Sequence, residues 1–127
     1  MKASSLGLVC CLVSAGTCDD AAVPRKFVRI DLADPQNWFA KPLLTGRIIS
    51  GFSEVYNQSN ADAWANSILD KCKANDLCTS CISLSADNNG DGRKWYGYLF
   101  KGKPTSAADY ERMPGKLQDS VIHTEAR

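Results

Sequence analysis

The apolar positions of residues 60–74 follow a helical period, whereas most other segments alternate or are rich in β-branched and aromatic residues. In "NADAWANSILDKCKA", Trp64, Ile68 and Cys72 recur every four residues and share one face with two alanines. Ser59 or Asn60 is a suitable N-terminal cap for this segment. The pattern predicts one main helix whose apolar face packs on another layer of the fold.

Strands are predicted on both sides of this helix. Residues 34–42, "DPQNWFAKP", are expected to form one short turn of helix or a loop, since Pro35 suits a first helical position. Residues 105–113 carry a capping pattern that predicts a short helix. Strand-like patterns occur at 26–32, 43–56, 79–85, 94–101 and 119–126. One main helix among several strands predicts an α+β fold.

The segment "DNNGDG" (87–92) resembles the start of a calcium-binding loop, but its context favours a turn. Asp87, Asn89 and Asp91 are spaced like the first three ligands, yet the twelfth position is Tyr98 where such a loop needs a bidentate glutamate. Asn-Gly and Asp-Gly are typical of hairpin turns, and strand-like segments flank them. We therefore expect a β-hairpin and no metal or other cofactor at this site.

The first fifteen residues, "MKASSLGLVCCLVSA", have the features of a secretory signal. A lysine precedes a short apolar run, and small residues at Val13 and Ala15 fit a signal peptidase site. The run is too short to span a bilayer. We expect residues 16–127 to be a single released, extracellular domain, in which the segment 17–45 has no assigned role.

The charge balance argues against nucleic acid or an anionic membrane as the partner. Removing residues 1–15 takes away Lys2 and no acid, so the 15 basic residues become 14 and match the 14 acids. A neutral surface lacks the basic patch that either partner requires.

Four cysteines remain after the predicted cleavage, and they are Cys18, Cys72, Cys78 and Cys81. In an oxidising compartment an even number indicates two disulfides, but the sequence leaves all three pairings open. A redox Cys-x-x-C begins a helix, whereas "CTSC" follows one. A zinc site would need His123 as its fourth ligand, and secreted thiols more often oxidise.

Little in the sequence supports catalysis, and the aromatic residues favour a binding protein. His123 is the chain's single histidine and lies in a predicted strand. The chain therefore has few residues that could form a catalytic Ser-His or Cys-His pair. Trp38 and Phe39 lie in a proline-bounded loop, and Trp95 and Tyr96 lie on a strand with aromatics on both faces. These four side chains are the candidate contact residues, with burial in the core as the alternative.

From Gly46 onward the order of segments resembles the PAN/apple superfamily, in the short form of secreted fungal proteins. The matching segments are "GRIISGFSEVYNQS", a helix ending in "DKC", "CTSC", a hairpin, "KWYGYLFKGKP" and "DSVIHTEA". The resemblance implies a helix on a curved antiparallel sheet, braced by disulfides, and binding of protein or carbohydrate.

The resemblance also implies a disulfide between Cys72 and Cys78, which leaves Cys18 and Cys81 as a second pair. The family pattern often has a further bond at positions that here hold Ile68 and either Gly97 or Tyr98. Both members of that bond are absent together, so no thiol is left without a partner.

The sequence thus predicts a secreted, non-enzymatic effector that binds a host extracellular protein, with a papain-like or serine protease as the natural target. The candidate inhibitory segment is "PQNWFAKP" (35–42), where prolines bound an aromatic pair. The alternative is a carbohydrate-binding module for cell-wall or matrix glycans, in which Trp95 or Tyr96 would be exposed. Asn57, in "NQS", is a predicted glycosylation acceptor.

Overall fold

A computed structural model describes residues 25–87, 90 and 92–126. Helical turns of the 3₁₀ type cover Tyr56–Gln58 and Ala107–Asp109. The strands are β1 (Phe27–Arg29), β2 (Trp38–Ala40), β3 (Ile48–Val55), β4 (Cys78–Asp87), β5 (Arg93–Lys101), β6 (Tyr110–Arg112) and β7 (Leu117–Glu125), and the helices are α1 (Pro42–Thr45) and α2 (Ala61–Lys73). The predicted signal and Cys18 lie outside the described residues.

The main sheet has five strands in the order β1-β7-β4-β5-β3, and every neighbouring pair is antiparallel. The expected hairpin is confirmed, since β4 pairs with β5 from Cys78 opposite Lys101 to Asp87 opposite Arg93. β4 is buried along nearly its whole length because β5 and β7 flank it and packed layers cover both of its faces. The predicted fold of one main helix with a mostly antiparallel sheet is confirmed.

Helix α2 packs on one face of the sheet through the face that its sequence pattern predicted. Asn60 caps it by accepting a hydrogen bond from the Ala63 N–H at 2.9 Å. Trp64, Ile68 and Cys72 are buried on this face and pack against the β5 residues Trp95 and Leu99. Burial of this face anchors the helix, because most helical stability in proteins comes from packing.

A smaller layer covers the opposite face of the sheet. Strands β2 and β6 pair as a two-stranded ribbon, with Ala40 opposite Tyr110. Ala40 and Tyr110 join a second apolar cluster with Ile82 and Phe100 of the main sheet. The ribbon corrects the expectation for 34–42, because Trp38–Ala40 is a strand. In 105–113 the predicted capping pattern is present and the short helix is the 3₁₀ turn Ala107–Asp109, which leads directly into β6.

Buried hydroxyl groups attach this ribbon to the sheet. Thr105 donates its N–H to the Thr124 hydroxyl at 2.9 Å, and its own hydroxyl donates to Ser80 at 3.0 Å. The Thr105 and Tyr110 hydroxyls are hydrogen-bonded at 2.8 Å. Each buried hydroxyl therefore has a partner, which removes the cost of burying it. The network fixes the start of β6, and β6 in turn positions β2.

The end of α2 is joined to the sheet by a disulfide and by an arginine. Cys72 and Cys78 are bonded, as the family resemblance implied, with their Cα atoms 5.2 Å apart. The Arg25 guanidinium donates to the backbone carbonyls of Cys72, Lys73, Asn75 and Cys78. A cation at a helix C-terminus satisfies its free carbonyl groups and complements the helix dipole.

Cys81 has a free thiol that is 1% exposed in the structure, and Cys18, its predicted partner, lies outside the described residues. Cys81 lies on β4 between the sheet and α2, where it packs like a small apolar residue. The segment before β2 is attached to the sheet by Arg25, which donates to the Cys78 carbonyl, and by the pairing of β1 with β7. None of the helices within residues 25–126 that the structure describes is long and apolar enough to cross a membrane.

Candidate functional site: a braced loop and an adjoining pocket

Trp95, a predicted contact residue, belongs to the core. It is 3% exposed and packs in the cluster beneath α2. Its indole N–H donates to the Tyr56 carbonyl at 2.8 Å, and the Tyr56 ring stacks on it with centroids 5.0 Å apart. Tyr96 points to the opposite face of the sheet and is half-buried. The predicted contact surface on this strand is therefore mostly internal.

Trp38 and Phe39 are half-buried, and Trp38 contacts the loop that precedes it. Phe39 contacts the Tyr98 ring edge-on, with centroids 5.7 Å apart. The Trp38 indole N–H donates to the Ala33 carbonyl at 2.9 Å. The Arg112 guanidinium covers the Trp38 ring at 4.3 Å from its centroid. Both aromatics were predicted to lie in a loop, but they lie on β2 and are partly buried against the apolar cluster that contains Ala40 and Tyr110.

Arg112 braces the segment Ala33–Asn37, which we call the braced loop. Its Nη1 donates to the Pro35 carbonyl and to the Asn37 side-chain oxygen, both at 2.8 Å. Its Nη2 donates to the carbonyls of Ala33 at 3.3 Å and Asp34 at 3.2 Å. One planar guanidinium thus contacts four acceptors of one loop, a geometry that suits the rigid fork of arginine. Ala33, Asp34 and Pro35 remain exposed.

Strand β7 holds the other end of the braced loop. The Ser120 N–H donates to the Gln36 carbonyl at 3.1 Å, and its hydroxyl donates to the Trp38 carbonyl at 2.8 Å. The Met113 N–H donates to the Asn37 carbonyl at 2.7 Å. The loop is thus fixed by contacts from β7 and from the residue after β6, so its exposed part is ordered before any partner arrives.

A cavity of about 460 Å³ opens beside the braced loop, and we call it the amide-lined pocket. Its lining consists of Pro35, Gln36, Asn37, Gly115, Leu117, Gln118 and Asp119. The lining residues thus include three carboxamides, one carboxylate and two apolar residues. This combination of a few polar groups in a partly apolar concavity is typical of small-ligand sites.

Asp119 stands in this pocket with an unusual backbone conformation. Its φ angle of 62° lies in the left-handed region, at an irregularity of the β4–β7 pairing between Ser83 and Ser85. The buried Ser85 hydroxyl donates to Asp119 Oδ2 at 2.7 Å and accepts from Arg93 at 3.0 Å. The surrounding contacts thus hold the carboxylate in place.

A second cavity of about 440 Å³ lies next to the first and shares Gly115 and Leu117 with it. It is more apolar, because Ala86, Met113 and Pro114 contribute to its lining beside Arg112 and Lys116. Met113 is 44% exposed at its rim. The braced loop and the two cavities therefore form one continuous uneven surface around residues 112–119.

The hairpin turn at 87–92 is built around glycines. Gly90 and Gly92 have φ angles of 77° and 98°, which suit glycine, and the Gly92 N–H donates to Asp87 Oδ1 at 3.2 Å. Asn89 and Asp91, the other two ligands weighed for calcium, lie outside the described residues. Within the described part of the chain, no three histidine, cysteine or acidic side chains cluster as metal ligands would.

Two titratable side chains sit side by side in the sheet under α2. Burial raises the pKa of the Cys81 thiol to about 12. Burial lowers the pKa of His123, and the positive charges of Arg29 and Lys73 lower it further. His123 is directly opposite Cys81 in the β4–β7 register. Near neutral pH the thiol is therefore protonated and the imidazole is neutral.

Asn57 is exposed on the 3₁₀ turn Tyr56–Gln58. An exposed asparagine in a sequon is accessible to a glycosyltransferase, so glycosylation of Asn57 stays a prediction.

Arg112 and Asp119 were not predicted as site residues from the sequence. Arg112 is one basic residue among many in the sequence, and its role arises from the β2–β6 pairing. The left-handed backbone at Asp119 results from the irregularity in strand pairing, and the sequence around Asp119 does not predict that irregularity. Pro114-Gly115 was a usable signal, because such dipeptides mark turns where the backbone is accessible.

Comparison of the chain with protein-family models, with curated proteins and with solved structures found no match. The resemblance to the PAN/apple superfamily and the predicted curvature of the sheet therefore stay predictions.

Proposed function

We propose that the chain is a secreted, non-enzymatic, effector-type binding protein that acts on a host extracellular protein through the braced loop. The natural target is a secreted papain-like or serine protease. The observation that carries the proposal is the contact of Arg112 with four acceptors of the loop, which leaves Asp34 and Pro35 exposed and held.

Preorganisation is the physical reason that this loop suits an inhibitor. A flexible loop loses conformational entropy when it binds, whereas a loop already held in one conformation avoids most of that cost. A held loop is also cut more slowly, because proteolysis requires local opening of the backbone.

Trp38 and Phe39 keep a role in this proposal, but a different one from the role predicted. They were expected to be anchors that enter the partner. The contact of Trp38 with Arg112 makes it a support of the loop, and the contact of Phe39 with Tyr98 holds strand β2, which follows the loop. Truncating either side chain is therefore expected to loosen the loop.

The carbohydrate-binding alternative was tied to exposure of Trp95 or Tyr96. With Trp95 buried and Tyr96 half-buried, the strand offers no aromatic platform of the expected kind. The protein-binding proposal is therefore the better supported of the two at the residues named from sequence. Its PAN/apple-like scaffold is part of the proposal, supported by the order of segments and the Cys72–Cys78 bond.

The test is an inhibition assay of the mature protein, residues 16–127, against purified papain-like and serine proteases of candidate hosts. Variants Asp34→Ala and Pro35→Ala alter the exposed loop, and Trp38→Ala and Phe39→Ala alter its support. Asn66→Ala, on the exposed face of α2, is the matched control. Inhibition weakened by the four loop variants and not by the control supports the proposal. Failure to inhibit any protease, with retention on a polysaccharide column, transfers the assignment to the carbohydrate-binding alternative.

A further inference from the structure

We propose that the amide-lined pocket binds a neutral pyranose residue, either free or as part of a glycan. The pocket lies against the braced loop and not at Trp95 or Tyr96, so the site differs from the one expected from sequence. The inference does not depend on the protein-binding proposal, because it uses the side chains of the cavity alone.

The side chains of the residues that line the pocket have hydrogen-bonding groups left over for a ligand. The Gln36 amide nitrogen donates to the Leu32 carbonyl and to the Asp34 carboxylate. Its amide oxygen has no partner among the described residues. The Asn37 side-chain oxygen accepts a hydrogen bond from Arg112, so its amide nitrogen remains as a donor for a ligand. The Gln118 side chain has no hydrogen bond within the described part of the chain. The pocket therefore offers both donors and acceptors, and a sugar hydroxyl needs both.

Asp119 adds one fixed carboxylate oxygen to this set. Ser85 occupies Oδ2, and Oδ1 has no described partner. A carboxylate accepts hydrogen bonds from hydroxyl groups more strongly than a neutral oxygen does. The left-handed backbone at Asp119, held by neighbouring contacts, places this acceptor without reorganisation on binding.

The charge and the shape of the amide-lined pocket favour a neutral sugar ring. None of the seven lining residues is cationic, so the pocket lacks the group that would bind a phosphate, a sulfate or an acidic sugar. Pro35 and Leu117 supply apolar surface for the C–H face of a pyranose ring. The cavity volume of about 460 Å³ falls within the range of small-molecule sites, about 300–1,000 Å³.

The experiment is a titration of ¹⁵N-labelled mature protein with glucose, mannose, galactose and N-acetylglucosamine, followed by amide chemical shifts. Glucose 6-phosphate and glucosamine are the charged comparison ligands. At least one neutral sugar is expected to give saturable shifts confined to the amides of residues 36–37 and 115–119. The same sugar presented on a glycoprotein, compared with the free sugar, distinguishes the two sources of the ligand.

Two variants test the assigned groups. Asp119→Asn keeps the Ser85 contact and tolerates the left-handed backbone, so it is expected to fold and to bind about tenfold more weakly. Gln118→Ala removes an exposed side chain and is expected to weaken binding about three- to tenfold. Gln58→Ala, an exposed amide elsewhere, is the control and is expected to change nothing.

Three results would overturn the inference. One is that no neutral sugar shifts the pocket amides at any soluble concentration. Another is that glucosamine alone binds, which would make the pocket an amine site. The third is that Asp119→Asn and Gln118→Ala, both shown to be folded, bind the sugar as tightly as the wild type does.

Discussion

The side chain of Ile68 lies directly over Gly97, so that a Cβ atom at position 97 would overlap the Ile68 side chain. A larger residue at position 97 would therefore require the buried Ile68 side chain to move.

Gly97→Ala is therefore expected to destabilise the fold by about 1–3 kcal/mol through overpacking. Ile68→Ala alone is expected to cost about 2–5 kcal/mol by leaving a cavity. The loss of stability in the double variant should be smaller than the sum of the two single losses, because the cavity left by Ile68→Ala has room for the added methyl group at position 97. Denaturant unfolding of the three variants measures this, with Gly46→Ala as a control because a Cβ there meets an ordinary contact only. Additive losses would contradict the close approach.

Arg25 is expected to stabilise the fold through the end of α2. Arg25→Ala removes the donor to four backbone carbonyls and should cost about 1–3 kcal/mol in the free energy of unfolding. Arg29→Ala is the matched control, since its ion pair with Asp31 is largely exposed and such pairs contribute about 0–1 kcal/mol. Equal losses in the two variants would show that the contacts of Arg25 do not stabilise the helix end.

Cys81 is expected to resist alkylation in the native protein. A buried thiol with a pKa of about 12 has almost no thiolate at pH 8, and the thiolate is the reactive form. Iodoacetamide should label Cys81 only after unfolding, whereas non-reducing peptide mapping should find Cys72 bonded to Cys78. Rapid native labelling, or a Cys18–Cys81 bond in the map, would refute the assignment of Cys81 as a buried free thiol.

His123 is expected to make the fold less stable in mild acid. Its pKa in the folded state lies below the ordinary value of 6.5, so the unfolded chain binds the proton more readily. Its contribution to stability is therefore present above about pH 6.5 and lost as the pH falls from there through the folded-state pKa. Tm measured between about pH 7 and pH 5 should fall less in His123→Gln than in the wild type. An equal fall of Tm with pH in the two proteins would mean that His123 does not contribute to the pH dependence of stability.

The main helix and the hairpin could be predicted from sequence because their determinants are local. Asn60 supplies the cap, the apolar face repeats every four residues, and glycines permit the turn between β4 and β5. The strand Trp38–Ala40 could not be predicted, because its partner Tyr110–Arg112 is about seventy residues away and a three-residue strand has no period of its own.

The candidate site was predicted in part. The segment 35–42 was predicted to contact a partner, and three of its residues, Pro35, Gln36 and Asn37, line the pocket. The other half, 115–119, and the brace from Arg112 depend on strand pairing and on an irregularity in β7. The bulky aromatics were taken for contact residues, since large apolar side chains have the same signature in a core and at an interface.

The central claim is that a loop held by Arg112 binds and inhibits a host extracellular protease. The most direct measurement compares wild-type and Arg112→Ala protein in inhibition progress curves with purified papain-like and serine proteases, after circular dichroism shows that both proteins are folded. The account predicts that the wild type inhibits at least one protease and that Arg112→Ala inhibits it at least about tenfold more weakly, mainly through faster dissociation. Equal inhibition by the two proteins, or none by the wild type, would contradict it.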